Sequence, residues 1–238
     1  MKNIGLIGCG NIAETYFRAQ EYFKNINFVA CADINLDAAK KTAEQYNIAA
    51  LSVDEILNDK NVDIILNLTI PQAHYEISKR ALEANKHVYC EKPMSVKFDD
   101  AKELLNLAKK NSLYIGNAPD TFLGGGGQLT RNLIDNNDIG QVLTGNFIFA
   151  FPGVQDFHPS PESWFQEGGG PVIDMGPYFF TTLVNLLGPV KNIRGRGAKF
   201  FDKREYKAGP KKGETFNVDI PTSYMFNIEF QNKAIIQG

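Results

Sequence analysis

The stretch GCGNIA, residues 8–13, decides how the first half of the chain folds. It is a GxGxxA sequence between an apolar run and a helical pattern, which predicts a glycine turn joining a first strand to a first helix. Gly8 permits the tight turn, Gly10 lets a pyrophosphate approach the backbone, and Ala13 lets the helix pack closely against the strand. The stretch therefore predicts the phosphate loop of a dinucleotide-binding domain.

The residues around this loop define the predicted cofactor. The amides near Asn11 and Ile12 open the helix and would face the phosphates. Asp33 ends the second predicted strand, where an acid accepts hydrogen bonds from the ribose hydroxyls and repels a 2′-phosphate. We therefore expect NAD to be preferred over NADP; the alternative role for Asp33 is to cap the next helix. Cys9 is interpreted as a small filler of the loop.

Apolar runs alternate with helical patterns as far as residue 119. The run Ile64–Leu68 is largely continuous rather than alternating, which is typical of a strand buried on both faces. Repeated strand–helix–strand units predict a doubly wound parallel sheet with helices on both faces, in a domain spanning residues 1–119. The predicted elements include strands at Ile4–Gly8, Phe28–Ala32, His87–Cys90 and Leu113–Gly116, and helices at Ile12–Phe23, at Leu36–Tyr46 and up to Ala84, followed by Asn85 in a left-handed conformation.

The pattern changes after Pro119, which predicts a second domain over residues 120–238. An alternating strand at residues 224–230 has one buried and one wetter face, typical of an antiparallel sheet. The basic segment Lys199–Gly213 is interpreted as a solvated hairpin or loop rather than a polyanion site. The other predicted elements are the glycine run Gly124–Gly127, a helix at Leu129–Ile134, a long strand at Val142–Phe151 and a helix at Tyr178–Leu187 that ends at Gly188.

The composition excludes several classes of function. A net charge of −2 gives no electrostatic case for nucleic acid or an anionic membrane as a partner. No apolar run approaches the length that spans a bilayer. The odd number of cysteines, Cys9, Cys31 and Cys90, without a CxxC pair, favours reduced thiols and a cytoplasmic location. With three histidines in the chain, we expect no histidine-rich metal site.

Three further motifs accompany the glycine loop. PQAH at residues 71–74 follows the Ile64–Leu68 strand, HVYCEKP spans residues 87–93, and GGGPVIDMGPY spans residues 168–178. HVYCEKP places an acid, a lysine and a proline just beyond the carboxyl end of a strand, where open parallel sheets bind ligands. In this order and at these intervals, the motifs resemble the glucose-fructose oxidoreductase, inositol dehydrogenase and rhizopine catabolism (Gfo/Idh/MocA) family along essentially the whole chain.

The resemblance implies a fold and an activity. It implies a Rossmann domain followed by an α+β domain with an open, mainly antiparallel sheet, through which the full-length protein forms a homo-oligomer. The implied activity is transfer of a hydride between NAD or NADP and a sugar, polyol or sugar derivative. Family members continue past this length, and the sequence stops at Gly238 inside a predicted strand. We therefore expect the 238-residue chain to be a fragment that binds NAD with little turnover.

The resemblance also assigns residues to the site. Lys92 corresponds to the lysine that contacts the reacting hydroxyl, and Asp174 to the aspartate of the glycine-rich second motif. The position of the family's acid/base histidine holds Tyr178 here, so Tyr178 and His158 are both candidates for proton transfer. The expected cofactor-binding residues are Gly8, Gly10, Asn11, Ile12, Asp33, Thr69, Pro71, His74, Glu91 and Lys92.

The residue types at the site match alcohol oxidation. An ammonium near the reacting oxygen stabilises the developing alkoxide. A tyrosine with its ordinary pKa of about 10 is a poor base at neutral pH, and a neighbouring cation such as Lys92 would lower it. His158 has an alternative interpretation as a loop histidine with a backbone contact, and Trp164 as either a platform for a sugar ring or a packing residue.

Two other classes of function compete with the oxidoreductase. Tyr178 and the short chain also fit a nucleotide-binding protein, or a truncated remnant, that lacks turnover. An NAD-dependent glycoside hydrolase is a third hypothesis, since similar folds support it through transient oxidation of the sugar. The selectivity for one substrate lies in loop geometry, so the sequence does not name the substrate.

Overall fold

In the computed structural model, six parallel strands form one sheet in the first part of the chain, in the order β3-β2-β1-β4-β5-β6. The parallel pairing and the strand order confirm the predicted Rossmann-type sheet. The strands are β1 (Lys2–Ile7), β2 (Ile26–Ala32), β3 (Ala49–Ala50), β4 (Ile64–Asn67), β5 (His87–Cys90) and β6 (Ile115–Asn117).

Helices connect these strands, and local signals define where most of them begin and end. The side chain of Asn35 caps the second helix, and Ser52 with Glu55 forms a capping box on the third. Asn85 follows the fourth helix with φ of 58°, as predicted. The helices are α1 (Ala13–Ala19), α2 (Leu36–Tyr46), α3 (Val53–Asn58), α4 (Pro71–Glu83) and α5 (Phe98–Lys110).

The sheet is buried on both faces. Successive residues of β1, Leu6 and Ile7, belong to different apolar clusters although both are almost fully buried. The same holds for Ile65 and Leu66 of β4. Because neighbouring side chains point to opposite faces, both faces are covered, which is why the strands are continuous apolar runs.

A second compact unit, Pro119–Gly238, follows the first, Met1–Ala118. Its larger sheet has the order β7-β12-β11-β8; β11 pairs antiparallel with both neighbours and β7 pairs parallel with β12. A smaller sheet joins β9 to β10. The elements are α6 (Gly125–Asp135), β7 (Thr144–Asn146), α7 (Gly170–Asp174), α8 (Gly176–Leu187), β8 (Val190–Ala198), β9 (Lys203–Glu205), β10 (Thr215–Asn217), β11 (Ser223–Phe230) and β12 (Ile235–Gln237).

The predicted alternation of β11 is confirmed. Ile228 and Phe230 are fully buried and pack with Leu187 of α8, whereas Met225 on the other face is exposed. The sheet is therefore covered on one face by α8. The structure describes residues 1–158 and 160–238, so Pro159 lies outside the described residues.

Several element boundaries differ from those predicted. Helix α1 ends at Ala19 rather than Phe23, whose side chain is exposed. The strand predicted at Val142–Phe151 is reduced to β7, because its partner β12 offers three residues for pairing. Part of the glycine run lies inside α6, where a Cβ on Gly127 would stand 2.1 Å from the carbonyl oxygen of Phe122.

Short elements in the first unit were missed. Strand β3 has two exposed residues and α3 has six residues, too few for a clear hydrophobic period. Strand β6 begins at Ile115 rather than Leu113. Among the residues that the structure describes, no helix combines the length and apolar character needed to cross a bilayer.

Candidate functional site

The glycine loop follows β1 and requires glycine at its first position. Gly8 has φ of +106°, and its amide donates a hydrogen bond to the carbonyl of Ala32 on β2 (2.9 Å). A Cβ at this position would lie 2.6 Å from the backbone carbonyl of Leu68. Both the backbone conformation and the close approach of the chain after β4 therefore exclude a side chain.

Gly10 has a different environment. A Cβ built there meets no atom within 4 Å, so the space beside this glycine is open. Ala13 begins α1 and is almost fully buried, so the helix packs closely on the sheet. Ile12 precedes the helix and makes no side-chain cap. The loop thus offers backbone amides beside open space, which fits a phosphate group.

Asp33 is joined directly to the glycine loop. Its Oδ2 atom accepts a hydrogen bond from the amide of Cys9 (2.7 Å), and its Oδ1 atom accepts one from the amide of Asn35 (2.7 Å). The cap of α2 is Asn35, whose Oδ1 accepts from Asp37 and Ala38, so the alternative role of Asp33 as the helix cap is wrong. A carboxylate has about four acceptor positions, which leaves room for ribose hydroxyls.

Two exposed apolar residues lie beside these groups and were missed by the sequence analysis. Ile34 follows Asp33 and is fully exposed, and Ile70 after β4 is 65% exposed. Parallel strands end at one edge of the sheet, so both side chains project from the edge that carries the glycine loop. The sequence did contain a signal for both residues: each is an isoleucine in a predicted loop, where an apolar side chain cannot join the core.

A buried polar network supports the chain after β4. Asn67 is fully buried; its Nδ2 donates to the carbonyl of His74 and to the Ser78 hydroxyl, both at 3.0 Å. Its Oδ1 accepts from the amide (3.2 Å) and the hydroxyl (2.7 Å) of Thr69. Asn67 therefore holds the loop that leads to Pro71, the first residue of α4. Its signal was a polar residue inside an apolar strand.

His74 connects two loops at this edge. The ring is 1% exposed, with Nδ1 2.6 Å from the carbonyl oxygen of Pro93 and Nε2 2.9 Å from that of Thr69. A neutral imidazole donates one of these bonds, and the doubly protonated ring donates both. His74 thus holds the Thr69 loop against residues 91–93, the EKP segment.

The EKP segment follows β5. The Lys92–Pro93 peptide bond is cis. Glu91 accepts two hydrogen bonds through its carboxylate, from the hydroxyl of Tyr16 on α1 (2.7 Å) and from the amide of Lys92 (2.9 Å). The side-chain amide of Asn117 donates hydrogen bonds to the backbone carbonyls of Cys90 and Glu91 (2.8 and 3.0 Å). Tyr16 and Asn117 are support residues that no motif indicated.

The second unit carries the other candidates for catalysis. Asp174 ends α7, and its Oδ2 accepts a hydrogen bond from the indole Nε1 of Trp164 (2.9 Å). Tyr178 lies in the first turn of α8, where its carbonyl accepts from the hydroxyl of Thr182 (2.7 Å). His158 is exposed, and its Nδ1 accepts from the amide of Ser160 (3.1 Å), the kind of backbone contact that the loop interpretation expects.

A cavity of about 400 Å³ lies within the second unit. Trp164 contributes to its wall and packs edge-on against Phe151 and Phe165, with ring centroids 5.8 and 4.8 Å away. Trp164 is therefore both a packing residue and a cavity wall. Other lining residues are Phe149, Met175, Phe179, Arg204, Tyr224 and Gly238.

Curated relatives of the chain include dehydrogenases of small polyols and sugars. The inositol 2-dehydrogenase of Salmonella typhimurium is 31% identical over 146 residues, which cover 58% of this chain and 43% of that protein. The D-xylose dehydrogenase of Paenarthrobacter nicotinovorans is 27% identical over 177 residues, which cover 71% of this chain and 46% of that protein. The chain spans about half the length of these curated relatives.

Solved structures share the fold. A levoglucosan dehydrogenase in complex with NADH and L-sorbose matches with a TM-score of 0.85 at 21% identity, covering 99% of this chain and 65% of that chain. Two family profiles match in succession: "Oxidoreductase family, NAD-binding Rossmann fold" at residues 2–117 and "GFO/IDH/MocA C-terminal domain" at residues 128–238. The chain therefore belongs to the Gfo/Idh/MocA family of oxidoreductases, and residues 2–117 form its NAD-binding Rossmann domain.

Proposed function

We propose that the protein oxidises or reduces a secondary alcohol of a sugar, polyol or sugar derivative, with NAD as the preferred cofactor. The observation that carries the proposal is that Lys92 follows β5 at the sheet edge that also carries the glycine loop after β1. A cation at that edge, next to the nucleotide loop, is the arrangement that alcohol oxidation requires. The inositol and xylose dehydrogenases among the relatives support this substrate class.

The cofactor would be held mainly by backbone. The amides of Asn11 and Ile12 would bind its phosphates in the open space at Gly10. Asp33, fixed by the amide of Cys9, would accept from the ribose hydroxyls and disfavour a 2′-phosphate. The exposed Ile34 would offer an apolar surface to the base. The rest of the proposed set is Thr69, Pro71, His74 and Glu91 together with the exposed Ile70.

The chemistry divides between the cofactor and the chain. The bound nicotinamide would accept or return the hydride. Lys92 would stabilise negative charge on the reacting oxygen, and Glu91 would position Lys92 through its backbone amide. Tyr178 is the favoured proton acceptor and His158 the rival, while Asp174 would orient Trp164 on the substrate side.

We propose two domains, residues 1–119 for the nucleotide and 120–238 for the substrate and for assembly. The face of β8 and β11 opposite α8 is exposed along almost its whole length, which supports a homo-oligomer through this sheet. Strand β8 places Arg194 and Arg196 on that face, so the contact would be largely polar.

The test is a turnover screen with the protein as it exists. NADH fluorescence on mixing measures nucleotide binding, and absorbance at the nicotinamide band follows turnover with a panel of inositols, aldoses and aminosugars. We expect saturable NADH binding and slow but measurable turnover with at least one member of the panel. Binding without turnover across the whole panel would favour a nucleotide-binding protein. Absence of NADH binding would contradict the proposal, because the reaction requires the cofactor.

A further inference from the structure

Two cysteine thiols that are distant in sequence meet beside the glycine loop. Cys31 on β2 is fully buried, and the half-buried Cys9 packs against the same apolar cluster. The sulfur of Cys9 lies 3.6 Å from the carbonyl oxygen of Ala32, and that of Cys31 lies 3.3 Å from the carbonyl oxygen of Ala39. Both side chains therefore belong to one apolar cluster at the neighbouring strands β1 and β2, and the Cys9 sulfur contacts the residue that directly follows Cys31.

The pairing makes the two thiols unequal. The hydrogen bond from Cys31 lowers the pKa of Cys9, and Thr42 lowers it further, against the opposing effects of burial and the Asp33 charge. The same hydrogen bond, together with burial, raises the pKa of Cys31. Cys90 is a contrast, because burial raises its pKa to about 12. Cys9 is therefore the thiol with the most thiolate character and also the most exposed one.

We propose that Cys9 and Cys31 form a redox pair that peroxide converts into a disulfide, and that this oxidation weakens nucleotide binding. The Cys9 thiolate attacks one peroxide oxygen, which breaks the O–O bond, forms a sulfenic acid and releases water after protonation. The Cys31 sulfur then attacks the Cys9 sulfur and displaces a second water. Two thiols lose two hydrogens and two electrons, and one hydrogen peroxide becomes two waters.

The location of Cys9 couples this step to the nucleotide. Cys9 stands between Gly8 and Gly10, and its amide donates the hydrogen bond that holds Asp33. Bonding its sulfur to β2 changes the torsions of the loop whose amides face the phosphates, and it moves the donor of the Asp33 bond. Bound nucleotide would cover the half-exposed thiol, so NADH should slow the oxidation. This coupling rests on the nucleotide-binding role of the loop.

The experiment reads the covalent link and the affinity separately. The reduced protein is treated with hydrogen peroxide, digested with trypsin without reduction and analysed by mass spectrometry. We expect residues 3–18 and 25–40, which carry Cys9 and Cys31, as one linked peptide. The Kd for NADH should rise about tenfold or more and return to its initial value with dithiothreitol. Saturating NADH should slow the linkage.

Matched variants identify the pair. Before peroxide treatment, Cys31→Ser should bind NADH with the same Kd as the unaltered protein. After peroxide it should form no linked peptide, and its Kd for NADH should not show the rise that dithiothreitol reverses. Cys90→Ser should respond to peroxide as the unaltered protein does. Absence of the linked peptide, or a linked protein with unchanged NADH affinity, would overturn the proposal. A reduced protein that never binds NADH would instead contradict the nucleotide-binding function, while the linked peptide would still report on the thiol pair.

Discussion

The two units of this chain bury their sheets in different ways. In Met1–Ala118, successive residues of β1 and β4 are buried on opposite faces of the sheet. In Pro119–Gly238, α8 covers one face, and β8 is exposed along almost its whole length. A strand that is buried on both faces can be recognised in the sequence as a continuous apolar run. A strand that is buried on one face has no such run, and where it begins and ends depends on the strands paired with it.

The hydrogen-bonded polar side chains of the two units also differ in burial. Asn67 and His74 are fully buried, and their side chains bond to groups after β4, in α4 and after β5. In the second unit, Glu162 bonds to the hydroxyl of Tyr206 and to Lys211 near the surface. Disturbing the first kind of contact should affect folding and ligand binding together, and disturbing the second should affect stability slightly.

The largest expected effect is on turnover. Lys92→Ala should lower kcat by about 10²–10³-fold, because it removes the charge that stabilises the alkoxide, while the affinity for NADH changes only a few-fold. Steady-state kinetics and NADH titration measure the two quantities. Lys110→Ala, an exposed lysine at the end of α5, is the matched control. Turnover within a few-fold of the unaltered protein would show that Lys92 has no such role.

The second prediction asks which residue of the second unit takes the proton. Tyr178→Phe removes only the hydroxyl; it should lower kcat for alcohol oxidation by about 10²-fold and abolish the limb of the pH–rate profile in which the rate rises with pH, because a base acts only when it is deprotonated. His158→Ala should leave the profile unchanged, because the His158 ring lies in an exposed turn bonded to Ser160. The assignment is reversed if His158→Ala alone removes that limb.

A pair of glycine variants separates folding from binding in the first unit. Gly8→Ala should cost about 3 kcal/mol of unfolding free energy, because its φ is positive and its Cβ would overlap the Leu68 carbonyl. Gly10→Ala should leave the thermal midpoint unchanged but lower NADH affinity about tenfold, because its methyl group enters open space meant for phosphate. Equal loss of stability in both variants would contradict this division.

The fourth prediction concerns the choice of cofactor. Asp33→Asn keeps an acceptor for the Cys9 amide but removes the charge, so the ratio of NADP to NAD affinity should rise about tenfold. Titration with both reduced cofactors measures the ratio. Asp37→Asn, a variant in the first turn of α2, controls for a general change in charge. Tighter binding of NADP by the unaltered protein would refute the preference.

The smallest effect is expected at the surface of the second unit. The Tyr206 hydroxyl, with Lys211, lowers the pKa of Glu162 to about 2. A carboxyl with a lowered pKa stabilises the fold above its ordinary pKa, and this contribution disappears as the pH falls through the folded value. Glu162→Gln should therefore cost less than about 1 kcal/mol at pH 7 and almost nothing near pH 2.

Trp164, the single tryptophan of the chain, reports on this unit during urea unfolding. Glu214→Gln, at an exposed glutamate three residues after Lys211, serves as the control. A loss at pH 7 that persists unchanged at low pH would mean that the hydrogen-bonding shape of Glu162, and not its charge, stabilises the unit.

Local signals predicted much of the first unit. The helix at Leu36–Tyr46 and the strand at His87–Cys90 were predicted with their observed limits. In the second unit, the strand predicted at Val142–Phe151 is mostly irregular, because aromatic residues favour a strand only where a partner strand is present. Elements are therefore predicted best where their limits depend on residues close in sequence, and worst where they depend on a partner strand from elsewhere in the chain.

The sequence by itself determined the glycine loop, the acid after β2, the lysine after β5 and the parallel sheet, because each depends on residue types at short spacings. Tertiary structure alone decided that Tyr16 bonds to Glu91, that His74 joins Thr69 to Pro93, and that Cys9 and Cys31 share one apolar cluster. These contacts join separate crossovers of the sheet. Sequence spacing carries no distance between such segments, so the packing of the sheet had to bring them together.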